Sequence, residues 1–276
     1  RYTAGSHHFL LYETTYADIP TKNDSGKAVD TSGVFDCSSG ATNGWSVRRL
    51  VGGSQNASGG SIVRFPPGVA IHIKAGTVLL MNAHYVNASS EPREPEIRIN
   101  LHTIAKEQVT TEGDILFLYN PFIKVGAQSK GRARMRCPVH ADMTLTNVQS
   151  HMHSLGVGYS ISRVGDASFY DNTSWENVPV KDLGAGMAFK KGDVIDYHCD
   201  YNNPADSDVF QGARSTDEMC MAIGSFYPAN SLTASCAVDD KIDRLGGEWV
   251  GNGTATCAET LGCVQKVDMA KFFQGL

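Results

Sequence analysis

The chain has 276 residues, 41% of them hydrophobic and 19% charged. That is enough for one large globular domain or two modest ones, and too apolar for a disordered tail. Lys and Arg number 24 against 29 Asp and Glu, a net charge of -5, so no basic field gathers nucleic acid or an anionic membrane surface. The longest apolar runs, Val78–Met81 and Ile115–Tyr119, are strand-sized and far short of the ~20 residues of a membrane-spanning helix.

Short alternating or β-branched runs recur along the chain. The first four are His8–Tyr12, Ser61–Phe65, Val69–Lys74 and Thr77–Val86. They are followed by Glu96–Ile104, Asp114–Tyr119, Met143–Val148, Gly158–Arg163, Asp193–Asp200 and Met219–Phe226. Each is bounded by Gly, Pro, Asn, Asp or Ser, which predicts strands of sandwiches or barrels and an all-β protein. Lys22–Gly44 and Val51–Gly60 are polar and Gly-rich and are predicted as surface loops. Residues 88–95 hold two prolines and three charges, a linker that divides the chain into domains 1–90 and 91–276. Helical periodicity is confined to Val264–Phe273.

The seven cysteines contain no CxxC pair, which favours structural disulfides over a zinc ribbon or redox motif and predicts a secreted or periplasmic protein. An odd number leaves at least one thiol unpaired or joined to something outside this chain. The chain begins with Arg1, which reads as a processed or trimmed product.

His151-Met152-His153 places two imidazoles two residues apart, so a strand projects both toward one face, where they can hold one metal ion. An isolated pair of this kind is more often a solvated surface feature. His7-His8 is adjacent, so on a regular strand the rings point to opposite faces, and both reach one metal only at a bulge or irregular turn. In the run from Leu79 to Tyr85, alternation puts Leu80, Asn82 and His84 on one face and Met81, Ala83 and Tyr85 on the other. By default His84 is a hydrogen-bonded strand residue and Met219 is core packing.

Taken in order, six segments resemble the copper type II, ascorbate-dependent monooxygenases, the family of peptidylglycine α-hydroxylating monooxygenase and dopamine β-monooxygenase. They are His7-His8-Phe-Leu-Leu-Tyr-Glu13, Phe65-Pro-Pro-Gly-Val69, His84-Tyr85, His151-Met-His-Ser-Leu-Gly156, Cys199-Asp-Tyr-Asn202, and Asp217-Glu-Met-Cys220 with Tyr227-Pro228 beyond it. The resemblance implies two antiparallel β-sandwich, jelly-roll-like domains with a copper site in each. His7, His8 and His84 would hold one copper in the first. His151, His153 and Met219 would hold the other in the second and carry the catalysis, since a thioether is a soft ligand that favours Cu(I).

As implied by that family, ascorbate or another one-electron donor reduces both copper ions, O2 is activated at the site with Met219, and a substrate C–H is hydroxylated. The second electron crosses a solvent-filled cleft between domains. The resemblance also pairs Cys199 with Cys220, clamping the strand that delivers Met219, and Cys137 with Cys236. Cys257 and Cys263 form a local third pair without family support, and Cys37 is left over.

Substrate recognition does not carry over. Where the peptide-amidating relatives place an arginine, an asparagine and a tyrosine, this chain has Gln149, Met221 and Ile223, a more apolar pocket without a guanidinium for a carboxylate. The expected substrate is a small molecule or a peptide of another kind. The rival expectation is a non-catalytic secreted copper-binding protein on the same scaffold.

Overall fold

The computed structural model describes residues 3–31, 33, 42, 44–55, 60–87, 89–212 and 214–230, together with the backbone of two strands at 238–245 and 248–253. Apart from one 3-10 turn at Lys106–Gln108, its regular structure is β. The strands of the first part are β1 (Ser6–Thr14), β2 (Val47–Ser54), β3 (Val69–Ala70) and β4 (Leu79–Tyr85). Then come β5 (Thr111–Glu112), β6 (Asp114–Tyr119), β7 (Lys124–Val125), β8 (Ser129–Pro138), β9 (Met143–Met152) and β10 (Gly156–Arg163). The last are β11 (Tyr170–Asn172), β12 (Lys181–Phe189), β13 (Val194–Asn203), β14 (Val209–Phe210), β15 (Cys220–Tyr227), β16 (Val238–Leu245) and β17 (Glu248–Gly253).

Three sheets are stacked. A four-stranded sheet, β12-β9-β15-β6, faces a six-stranded sheet, β11-β10-β13-β8-β17-β16, and between them lies a core that includes Leu116, Leu118, Met135, Val148, Tyr197 and Phe226. The third sheet, β2-β1-β4, packs on the opposite side of β6 and β15 through a second cluster in which Tyr12, Leu50 and Leu80 meet Ile115, Phe117 and Ile223. β6 therefore alternates between two cores, Leu116 and Leu118 into one and Ile115 and Phe117 into the other. A strand covered on both faces has no polar side to show, which is why it reads as a continuous apolar run. Pairing is antiparallel except for β17 with β8 and β3 with β5.

Among the described residues the first 90 contribute a three-stranded sheet and the short β3, whose partner β5 lies beyond the predicted linker. Thr3 also donates its backbone N–H to Glu96 O at 3.1 Å, so segments on both sides of residues 88–95 are hydrogen-bonded together.

Several local expectations are corrected. Val51–Ser54, expected as loop, is the end of β2. A Cβ on Gly53 would lie 2.7 Å from Leu10 Cδ2 and 3.0 Å from Phe9 O, so the glycine that suggests a loop is what lets β2 lie against β1. β8 was not predicted because Lys130, Arg132, Arg134 and Arg136 make it strongly basic; it nonetheless alternates strictly, with Ala133, Met135 and Cys137 inward. Its outward arginines are neutralised across the sheet, Arg134 Nη2 lying 2.6 Å and Arg136 Nε 3.1 Å from Asp196. Ser61–Phe65 and Glu96–Ile104, predicted as strands, form none, and Ile62 and Leu101 are exposed. Val264–Phe273 lies outside the described residues.

Candidate metal centre

The first group of histidines is built by a strand irregularity. β1 pairs with β4 in register from His8↔His84 to Glu13↔Leu79, and the register shifts between Ser6 and His8. That shift falls on the adjacent pair and turns both rings to the same side: His7 and His8 have centroids 4.8 Å apart, and His84 lies 5.0 Å from His7 and 5.1 Å from His8. On β4, Leu80 and Asn82 are buried with the face that carries His84, while Met81 is exposed.

The second group sits where β9 ends. His151 is opposite Met221 on β15, and His153 follows the last strand residue, with the two rings 5.3 Å apart. His153 Nδ1 lies 2.8 Å from Asp217 O, so this nitrogen carries the proton and Nε2 presents a lone pair. That Nε2 is buried and has no hydrogen-bond partner among the described residues. Glu218 is fully buried and its carboxylate accepts the backbone N–H of His153 at 3.1 Å and of Leu155 at 2.7 Å. Burial pushes that carboxyl up to about 7 against the opposing pull of these backbone donors.

Met219 follows directly. Tyr201 donates its hydroxyl to Met219 O at 2.9 Å, and Cys199 and Cys220 form a disulfide, so the backbone that delivers the thioether is held from both sides. The Met219 side chain is buried among the apolar residues between the three-stranded and four-stranded sheets. Cys137 is disulfide-bonded as well; Cys236, Cys257, Cys263 and Cys37 lie outside the described residues.

The two groups meet in one cluster instead of facing each other across a solvent-filled cleft. His7 lies 5.2 Å from His153 and 5.7 Å from His151, and His8 lies 5.1 Å from His151. Donor nitrogens of His7, His151 and His153 fall within 4.8 Å of one another, as do those of His7, His8 and His84. The cause is the apolar packing of Tyr12, Leu50 and Leu80 onto β6 and β15, which presses the two sheets together. A charged contact reinforces it, since Arg49 lies 2.6 Å from Glu13 Oε2 within its own sheet and 3.5 Å from Asp114 Oδ1 on β6.

Five imidazoles this close cannot carry five protons. Burial holds His7 down to about 3, with the nearby His153 and His84 adding to the effect. His8 and His151 are held well below their ordinary value by burial first and by neighbouring histidines second. Burial also lowers His84, and it lowers His153 despite the opposing hydrogen bond to Asp217. Neutral rings with free lone pairs are the form that binds metal, and imidazole serves both oxidation states of copper. The imidazole set therefore fits copper.

Beside His8 and His151 is a recess with room for about one water molecule, lined also by Leu10, Gln55, Gln149 and Ile223. Gln149 is buried and donates its side-chain amide to Gly53 O at 3.4 Å. Met221 and Ile223 are buried in the same apolar cluster as Met219. Sequence reading missed Gln55, whose side-chain amide donates to Met152 O at 3.0 Å and to Trp175 O, and whose main-chain carbonyl accepts the Val178 N–H at 3.3 Å. It thereby ties the loop after β11 to the end of β9, and the Trp175 ring on that loop stands 5.7 Å from His7. Nothing local in the sequence marks Gln55, which immediately follows a glycine-containing strand. Glu218 was visible only as one of two acids before Met219.

Residues 114–243, the segment that supplies β6 through β15 and with them His151, His153 and Met219, match the family model described as copper type II ascorbate-dependent monooxygenase, C-terminal domain.

Proposed function

From the premise that residues 114–243 belong to that family of copper type II ascorbate-dependent monooxygenase domains, we propose that this chain is a copper-dependent monooxygenase that hydroxylates a substrate C–H with O2 and a one-electron donor such as ascorbate. The observation that carries the reading is the cluster of neutral, buried imidazoles, with His153 oriented by Asp217 O so that Nε2 is left for a metal. His7, His8 and His84 are assigned to one copper and His151, His153 and Met219 to the other, in segments 1–90 and 91–276 respectively. When bound, copper supplies one-electron redox chemistry and the activation of O2.

The chain's own part is positional. Asp217 O sets the tautomer of His153, the Glu218 carboxylate holds the turn after β9, and Tyr201 with the Cys199–Cys220 disulfide fixes the backbone of Met219. Leu10 and Ile223 give the neighbouring recess an apolar wall, and Gln149 stands where a carboxylate-binding guanidinium would be needed for peptide amidation. A glycine-extended peptide is therefore not the substrate. The disulfides suit a secreted or periplasmic location.

One observation favours the rival reading of a non-catalytic copper-binding protein: the recess beside His8 and His151 is water-sized. The deciding experiment reconstitutes the protein with copper, counts bound metal, and measures ascorbate-dependent O2 consumption against candidate small molecules. Two bound copper ions with substrate-dependent O2 uptake support the monooxygenase. Stoichiometric copper without such uptake supports the rival, and no copper at all removes both.

A further inference from the structure

His7 belongs to two triplets at once. A donor nitrogen of its ring falls within 4.8 Å of those of His8 and His84 in its own sheet, and one also falls within 4.8 Å of those of His151 and His153 beyond it. The second triplet joins β1 to the end of β9, with His7 centred 5.2 Å from His153 and 5.7 Å from His151, and those two 5.3 Å apart. All three rings are buried. His153 brings Nε2 without a hydrogen-bond partner among the described residues, because its Nδ1 is committed to Asp217 O at 2.8 Å. A buried lone pair held in place beside two further imidazoles points to a ligand shared by all three.

The donor chemistry narrows the class of ion. The triplet offers three imidazole nitrogens and neither a thiolate nor a carboxylate. Calcium and magnesium require oxygen ligands, whereas three imidazoles and a water make a tetrahedral set for zinc. Zinc–nitrogen bonds of about 2.0–2.1 Å set ligand nitrogens about 3.3 Å apart, so donors within 4.8 Å close by at most about 1.5 Å. A neutral imidazole has a single lone pair, so His7 ligates one ion only. We propose that His7, His151 and His153 form a cross-sheet site for one divalent cation of zinc type, which fastens β1 to the end of β9 and withdraws His7 from the triplet it makes with His8 and His84. This goes beyond the monooxygenase reading, in which His7 serves only the first copper, and adds a site where a redox-inert metal competes for that ring.

The test loads the full, metal-free chain with Zn(II) alone, up to one equivalent, reading affinity by competition with a chromogenic chelator and ligation by X-ray absorption at the zinc edge. The unaltered protein is expected to bind one Zn(II) through three imidazoles and no sulfur. His8→Ala and His84→Ala should leave both the affinity and the three-imidazole signature unchanged, while His7→Ala, His151→Ala and His153→Ala should each weaken binding about tenfold or more. His84 is only half-buried, the other four rings being buried, so His84→Ala decides if a buried variant fails to fold. A tenfold loss in His84→Ala, sulfur among the ligands, unchanged affinity in a folded His153→Ala, or no Zn(II) binding would each overturn the proposal. Copper loading and ascorbate-dependent O2 uptake, measured separately, judge the other reading: the expected zinc pattern without uptake removes the monooxygenase alone, and uptake without the zinc pattern removes the cross-sheet site alone.

Discussion

Acid should destabilise the metal-free protein well above the usual range of carboxylate protonation, and the amount follows from the histidine cluster. A histidine whose folded pKa is depressed contributes stability that is present above its unfolded value of about 6.5 and lost as pH falls toward the folded value. His7, held to about 3, and His8 and His151, held well below 6.5, stay neutral in the fold at pH 5.5 while their unfolded counterparts take up protons. Between pH 7 and 5.5 a ring that stays neutral in the fold loses on the order of 1 kcal/mol, so the three together lose a few kcal/mol. Glu218 works in the opposite sense. Its folded pKa is raised to about 7, so its contribution is full below the unfolded value of 4.5 and is lost as pH rises through about 7. Acidification to 5.5 therefore returns on the order of 1–2 kcal/mol. The net loss from these four groups is about 2 kcal/mol, a sizeable part of a typical domain stability of about 5–15 kcal/mol. His153 and His84 are lowered too and act in the same direction as the other histidines. Urea unfolding in the presence of a chelator, followed by tryptophan fluorescence at pH 7.0 and 5.5, measures the change, and Glu218→Gln should make it steeper. A midpoint that stays constant or rises on acidification would refute buried, neutral imidazoles as the state of the apo cluster.

Three further outcomes are expected. Met219→Ile should abolish turnover in the copper-loaded protein while metal analysis and X-ray absorption still find the all-histidine site occupied, because only one site loses its soft ligand. Gly156→Ala brings a Cβ within 2.8 Å of Met152 Cβ and 2.9 Å of its Sδ, in the turn just after His153; it should cost about 1–3 kcal/mol in thermal or urea unfolding and weaken copper binding. Replacing Cys199 and Cys220 together with Ala, which opens a link between residues 21 apart, should cost about 3 kcal/mol in urea unfolding relative to the oxidised protein.

How far the site was legible in the sequence depends on the distance over which each signal acts. The spacing of His151 and His153 and the alternation around His84 are properties of a single strand, and the structure can be read from them directly. The adjacent pair His7-His8 was informative in a different way, since two neighbours on a regular strand diverge; a shared site demanded an irregularity, and the pairing register shifts there. The meeting of the two groups was not legible, because it is produced by apolar contacts between β1, β2 or β4 and β6 or β15 that no local pattern encodes. Gln55 and Trp175 were missed for the same reason: their partners lie about a hundred residues away and are backbone carbonyls or a ring, available to any residue type. β8 was missed although its alternation is strict, because its partners Asp196 and Asp200 become visible only when β13 lies alongside.

The contact between Arg49 and its two carboxylates bears on how rigidly the imidazoles are spaced. Glu13 and Asp114 are nearly inaccessible to water and belong to different sheets, with the guanidinium standing between them. Sliding one sheet along the other would strand a charge in a medium that solvates it poorly, a penalty that rises steeply with displacement, whereas an oily contact yields gradually. The gap between His8 and His151 is thus stiffened by an ionic strut on top of the apolar packing, and a variant that loosens the strut would alter that gap without touching a single ligand.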